Sequence, residues 1–165
     1  MMKKILLVIL GVFFLTGCGP NFDQEGMQTV HDYAGKLIPL TSETIYAVNY
    51  WSRFPGTEGQ EKIQQAEENL EAIEELNEEF AGKLPPREEI EKWRIARSVQ
   101  DRRWIIKGED LAEALYTAKE KTLELENVDI SEIKDEERQL GEEESIYFDE
   151  AEEAIDRLRH VLYRR

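Results

Sequence analysis

From Met27 onward, apolar or small residues recur every three or four positions: Met27, Val30, Ala34, Leu37, Thr41, Thr44 or Ile45, Val48 and Trp51. That period marks a helix with one buried face, sustained here for about seven turns. Pro39 falls inside it. A proline in a helix interior removes one hydrogen bond and crowds the preceding turn, at a cost of about 3 kcal/mol. The phase is kept across it, which predicts a first helix kinked at Pro39, or two nearly collinear ones. Pro55-Gly56-Thr57-Glu58-Gly59 is the plainest turn in the chain. Thr57 with Gln60 three residues on fits a capping box that opens a second helix. This helix sets Ile63, Ala66, Leu70, Ile73, Leu76 and Phe80 on one face and ends near Gly82. Its other faces carry nine glutamates against the single Lys62.

Leu84-Pro85-Pro86 forces extended backbone and stops that helix. Residues 87–107 hold seven bases and four acids, with Ile90, Trp93, Ala96, Val99, Trp104 and Ile106 as apolar positions. This pattern predicts a basic helix returning along the acidic one as a central antiparallel helical hairpin. Leu111, Leu115, Ala118, Thr122 and Leu125 continue the helical spacing, so residues 87–126 form one long helix unless Gly108 breaks it. Residues 127–141 are polar, with Ile130 and Ile133 as anchors, and read as a loop. A last helix over residues 142–163 uses Tyr147, Ala151, Ala154, Ile155, Leu158, Val161 and Leu162, with acids leading and bases ending it. That order suits the helix dipole. Sustained polar–apolar alternation is missing, which predicts almost no strand. The expected fold is all-α, an elongated bundle of about four long helices.

Ahead of this body, Lys3 and Lys4 precede an apolar run from Ile5 to Leu15, broken only by Gly11, and then Thr16-Gly17-Cys18. A membrane-spanning helix needs about 20 apolar residues; a shorter run with a basic front and small residues behind reads as an export signal. The Leu15-Thr16-Gly17-Cys18 tetrad resembles the lipobox of bacterial lipoproteins. The resemblance covers the leader alone. It implies cleavage before Cys18, a diacylglyceryl group on its sulfur, and a protein held to the extracytoplasmic face of a membrane. Two acyl chains anchor stably where one does not. In the lipoprotein sorting rule an Asp after the cysteine keeps the protein at the inner membrane; here Gly19 follows, so an outer membrane remains open as its home. The expected division is residues 1–17 as cleaved signal, 18–25 as lipidated terminus and short tether, and 26–165 as one helical domain.

Charge then narrows the partners. The formal net charge is −15, and the two leader lysines leave on cleavage. Such acidity argues against nucleic-acid binding, and against the body lying flat on an anionic bilayer. With a single cysteine, no disulfide can form within the chain, so a packed core must supply the stability. The lipid is the only membrane contact this reading provides.

Catalytic and metal-binding patterns are not found. His31 and His160 have Gln28 and Arg157 three residues before them, not the Glu of a carboxylate-bridged metal site. The sequence carries no Gly-x-Ser-x-Gly and no glycine-rich phosphate loop after the leader, and no cofactor is implied. The expectation is a non-enzyme. Two clusters remain for contact with a partner. Tyr46, Tyr50 and Phe54 share a helix face rotated away from the seam of Val48 and Trp51, so they either pack beneath a neighbouring helix or form a surface patch. Trp93 and Arg97 belong to an arginine–tryptophan stretch whose rings either anchor the core or grip an acidic polymer. Together these features describe a lipid-anchored envelope protein acting through protein contact, as an adaptor, immunity or assembly factor. The alternative is a lipoprotein that holds a small or lipid-like molecule between its helices; an envelope hydrolase is a distant third. The oligomeric state is not specified by the sequence.

Overall fold

The computed structural model describes residues 23–54, 56–99, 102–128, 130 and 142–163. Its longest element, α1 (Gln24–Arg53), is one uninterrupted helix with Pro39 inside it. Asp23 caps it, its carboxylate accepting from the Glu25 and Gly26 amides at 3.2 and 2.8 Å. Pro39 and Gly35 both lie on the exposed side, so the Gly35 carbonyl, deprived of its proline N–H, faces water rather than a dry core. The buried stripe, from Met27 and Val30 through Leu37 to Val48 and Trp51, matches the predicted face. Thr41 and Thr44 fall within it and return their hydroxyls to the Leu37 and Leu40 carbonyls at 2.9 and 2.8 Å.

Helix α2 (Thr57–Phe80) folds back along α1. The turn between them contains Gly56 at φ +121°, a conformation favouring glycine. Gly56 itself is the cap residue, and no side chain caps this helix, so the Thr57 capping box is not formed. Gly59 lets the second helix approach closely: a Cβ there would stand 2.5 Å from the Phe54 carbonyl oxygen. At the other end the two helices are locked by a buried polar pair. The Tyr33 hydroxyl donates to Asn77 Oδ1 at 2.7 Å, and Asn77 Nδ2 donates to the Ile73 carbonyl at 2.9 Å. Lys36 and Glu79 pair outside it at 3.0 Å.

The basic segment departs from expectation. Only α3 (Arg87–Ile90) is helical; Arg94–Val99 (β1) and Arg102–Lys107 (β2) form a two-stranded antiparallel ribbon. The central helical hairpin is therefore made by α1 with α2, and the basic stretch takes no part in it. Ile95, Val99, Ile105 and Ile106 are β-branched, a class whose side chains suit strands, and Ile95 and Ile106 are register partners that are both buried. Gly108 fixes the root. Its N–H donates to the Trp93 carbonyl at 2.8 Å, and a Cβ on it would fall 1.9 Å from the Ile90 carbonyl oxygen. Gly108 thus begins α4 (Gly108–Glu124) and does not sit inside one helix running from residue 87.

A 3₁₀ turn (Leu125–Asn127) follows, and α5 (Glu142–Tyr163) returns antiparallel to α4. The ion pairs Arg157 with Glu113 at 2.9 Å and Lys121 with Glu150 at 2.8 Å mark that register. In α5 the buried aromatic is Phe148; Tyr147 is half-buried against the core. Val128 and Ile130 are buried in the core, while Ile133 lies outside the described residues. The architecture is an all-α helical bundle, with four long helices and one small β-ribbon among the described residues.

Candidate functional site

The aromatic trio on α1 emerges at the surface. Tyr46 is 60% exposed and Phe54 52%, with Tyr50 half-buried between them. Four-residue spacing places each ring one turn above the last. The Tyr46 and Tyr50 centroids are 6.0 Å apart and those of Tyr50 and Phe54 4.6 Å, giving a continuous strip of tilted rings. Val48 and Trp51 point the other way and are buried. This separation follows from the sequence alone: Val48 and Trp51 stay in phase with the core stripe, and the trio is out of phase with it.

The start of α2 borders the strip. The Tyr50 hydroxyl donates to Glu58 Oε2 at 3.0 Å. That bond to a carboxylate, helped by desolvation and the Glu58 charge, raises the Tyr50 phenol above its ordinary value and keeps it a neutral donor. Lys62 Nζ stands 5.8 Å from the Tyr46 ring centroid, within cation–π range. The strip thus offers flat π surface for apolar side chains or guanidinium groups.

Of the other sequence candidates, Trp93 does not join it. Trp93 is 4% exposed, and its ring lies against the first turn of α1, 3.1 Å from where a Gly26 Cβ would stand. It packs as a core anchor. Arg97 lies in β1 opposite Trp104, away from the trio in sequence and element. Cys18 lies outside the described residues. Two grooves open to solvent flank Pro39. One, of about 540 Å³, runs between α1 and α2 with Leu40, Ala72 and Leu76 on its floor. The other, of about 770 Å³, runs between α1 and α5 past Ile38, His160 and Tyr163. Sequence reasoning missed both, because grooves depend on how helices cross.

Among the described residues, no group of His, Cys, Asp or Glu is arranged to hold a metal ion. Burial raises the Glu126 carboxyl above its usual range, and the charges of Glu74 and Glu78 add to this. No helix of the described residues is long and apolar enough to cross a membrane. Comparison with protein-family models finds no match, and comparison with curated proteins and with solved structures finds no significant similarity.

Proposed function

We propose that this chain is a lipid-anchored envelope protein that works without catalysis, presenting the Tyr46, Tyr50 and Phe54 strip to a protein partner. The carrying observation is the solvent exposure of aromatic rings on a helix whose opposite face is fully packed. Aromatic residues are enriched at interfaces, where they bring large contact area with little entropy to lose. The anchor rests on the lipobox-like Leu15-Thr16-Gly17-Cys18. With 1.5 Å of rise per residue, Tyr46 stands about 35 Å along α1 from Asp23 and Phe54 about 46 Å. The strip would then lie at the end of α1 far from the anchor.

The test is photo-crosslinking in cells from position 46 or 54 of the otherwise intact protein. The proposal expects one dominant adduct that is lost in Tyr50→Ser while the melting temperature holds. No discrete adduct at either position, or one insensitive to Tyr50→Ser, would count against it. A second reading, a lipoprotein holding a small molecule, draws on the 770 Å³ groove between α1 and α5, a size that suits a ligand. It requires a ligand to co-purify with the protein and to be displaced by Gly35→Trp, a substitution on the exposed rim.

A further inference from the structure

The chain is strongly acidic, yet the ribbon inverts that charge: residues 94–107 contain five bases and one acid, Asp101. Register places the described faces. Ile95 and Ile106 are opposite one another and buried, so the alternate face, with Arg94 opposite Lys107 and Ala96 opposite Ile105, is turned outward. Arg94 and Lys107 are exposed, and Ile105 is 63% exposed, the highest value among the large apolar residues that stand out. The outward face therefore sets the bases Arg94 and Lys107 beside a bare isoleucine. Of the helices, α4 is the one that packs appreciably on the ribbon, and strands of six residues reach about 20 Å from their root.

The root lies at one particular end of the molecule. Pro85 and Trp93, just before β1, approach Gly26 in the first turn of α1; a Cβ there would stand 2.8 Å from Pro85 Cγ and 3.1 Å from Trp93 Cη2. From Asp23 to Cys18 is five residues, at most about 17 Å of extended chain. The end of α1 that carries the ribbon is the end that the anchor would hold to the bilayer. Acids also gather near the root, with Glu91 and Glu109 exposed there and Glu91 paired to Arg87 at 3.1 Å. They belong to the body and not to the strands.

We infer that the ribbon is a second membrane contact: its bases bind anionic phospholipid headgroups, and Ile105 enters the interface between them. This rests on the anchored reading. It also removes a difficulty in that reading, because an acidic body on a short tether is otherwise repelled by an anionic surface. Each base close to such a surface strengthens attachment roughly fivefold at moderate salt, an attraction that falls off within a Debye length. The ribbon would stand the body upright, with the acidic faces of α2 and the aromatic strip outward.

The mature chain beginning at Cys18 contains one thiol, so it can be coupled through a maleimide lipid to vesicles of phosphatidylcholine, with or without phosphatidylglycerol. Limited trypsin digestion then reports access to Arg102 and Arg103. The expected result is cleavage there slowed at least about fivefold on anionic vesicles, restored by 0.5 M salt, with cleavage at Arg53 unchanged. Arg94→Ser with Lys107→Ser, two exposed changes that leave the cleavage sites intact, should abolish most of the protection. Equal cleavage on both vesicle types overturns the inference, as does protection that survives salt or extends equally to Arg53. Protection by soluble polyphosphate without protection by vesicles also overturns it. Because the anchor is supplied chemically, this result stands apart from the natural one, which mass spectrometry of Cys18 in the cell-made protein decides.

Discussion

The Tyr33 hydroxyl offers a sharp test of how α1 and α2 are held together. It donates to Asn77 Oδ1 at 2.7 Å, with Tyr33 fully buried and Asn77 6% exposed. Tyr33→Phe keeps the ring and its tilted contact with Phe80 at 5.4 Å, so the loss is confined to one oxygen. What remains is a buried amide oxygen deprived of its donor, which costs about 1–3 kcal/mol. For a domain of this size about 2 kcal/mol lowers the melting temperature by roughly 4–8 °C. Asn77→Leu alone should cost a similar amount, since it strands the phenol instead. Tyr33→Phe with Asn77→Leu replaces both partners by apolar groups and should recover at least about 1 kcal/mol of the summed loss. Urea melts of the four proteins measure this cycle. A Tyr33→Phe loss below about 0.5 kcal/mol, or additive single losses, would refute the claim that this pair locks the helices.

Other expectations can be checked on the same protein. Burial raises the Tyr33 phenol above its ordinary value, so the folded state holds a proton that the unfolded chain releases near pH 10. Its contribution is complete below that pH and is lost above it; urea midpoints should be level in this respect from pH 8 to 9 and fall from 10 to 11, less steeply in Tyr33→Phe. Two glycines should respond in opposite directions. Gly108→Ala drives a Cβ into backbone oxygen and should cost about 3 kcal/mol or prevent folding, whereas Gly35→Ala meets nothing within 4 Å and should stabilise by about 0.5–1 kcal/mol, both read by thermal melts. Tyr46→Ser, at an exposed ring, should shift stability by less than about 1 kcal/mol; a much larger loss would make the strip a packing element and undo the proposed contact surface. Cys18→Ser should leave an unprocessed precursor or release the protein from its anchor, as membrane fractionation will show; a cleaved product that stays membrane-bound through high-salt washing would remove the lipid anchor.

The four long helices were readable because each buries one stripe, and the stripes of α1 and α2 appear in the structure at the positions their period assigns. The exposed aromatic trio was readable for the same reason, as residues out of phase with that stripe. The ribbon was not. Ile90, Trp93, Ala96 and Val99 happen to be spaced like a helix face, and over ten residues that coincidence outweighs the strand preference of Ile95, Val99, Ile105 and Ile106. The signal that could have exposed it is the break in phase after Val99, where the next apolar positions come at Trp104, Ile105 and Ile106. The sequence leaves open whether Gly108 breaks a helix, because its true constraint is contact with the backbone of Ile90 and Trp93, which no local pattern records. Asn77 escaped notice likewise: one amide among glutamates carries no sign that a tyrosine 44 positions earlier will meet it.

The polarity of α1 connects the two proposals. At its first turn Gly26 admits Trp93 and Pro85, which root the basic ribbon; near its last turn Phe54 and Tyr50 stack in the open. A helix of 30 residues separates these ends by about 45 Å. Attachment by lipid alone does not by itself fix the orientation of a protein, so the strip can take many directions. If the ribbon adds a second attachment, rotation is restricted and the strip is held at a nearly constant height. A partner in the same membrane that reaches this height then meets it at high effective concentration, so that weak aromatic contact suffices. The consequence is measurable: neutralising Arg94 and Lys107 should lower the crosslinking yield from position 46 without any change in folding stability or in attachment through Cys18. An unchanged yield would separate the two sites and leave the ribbon without a part in partner capture.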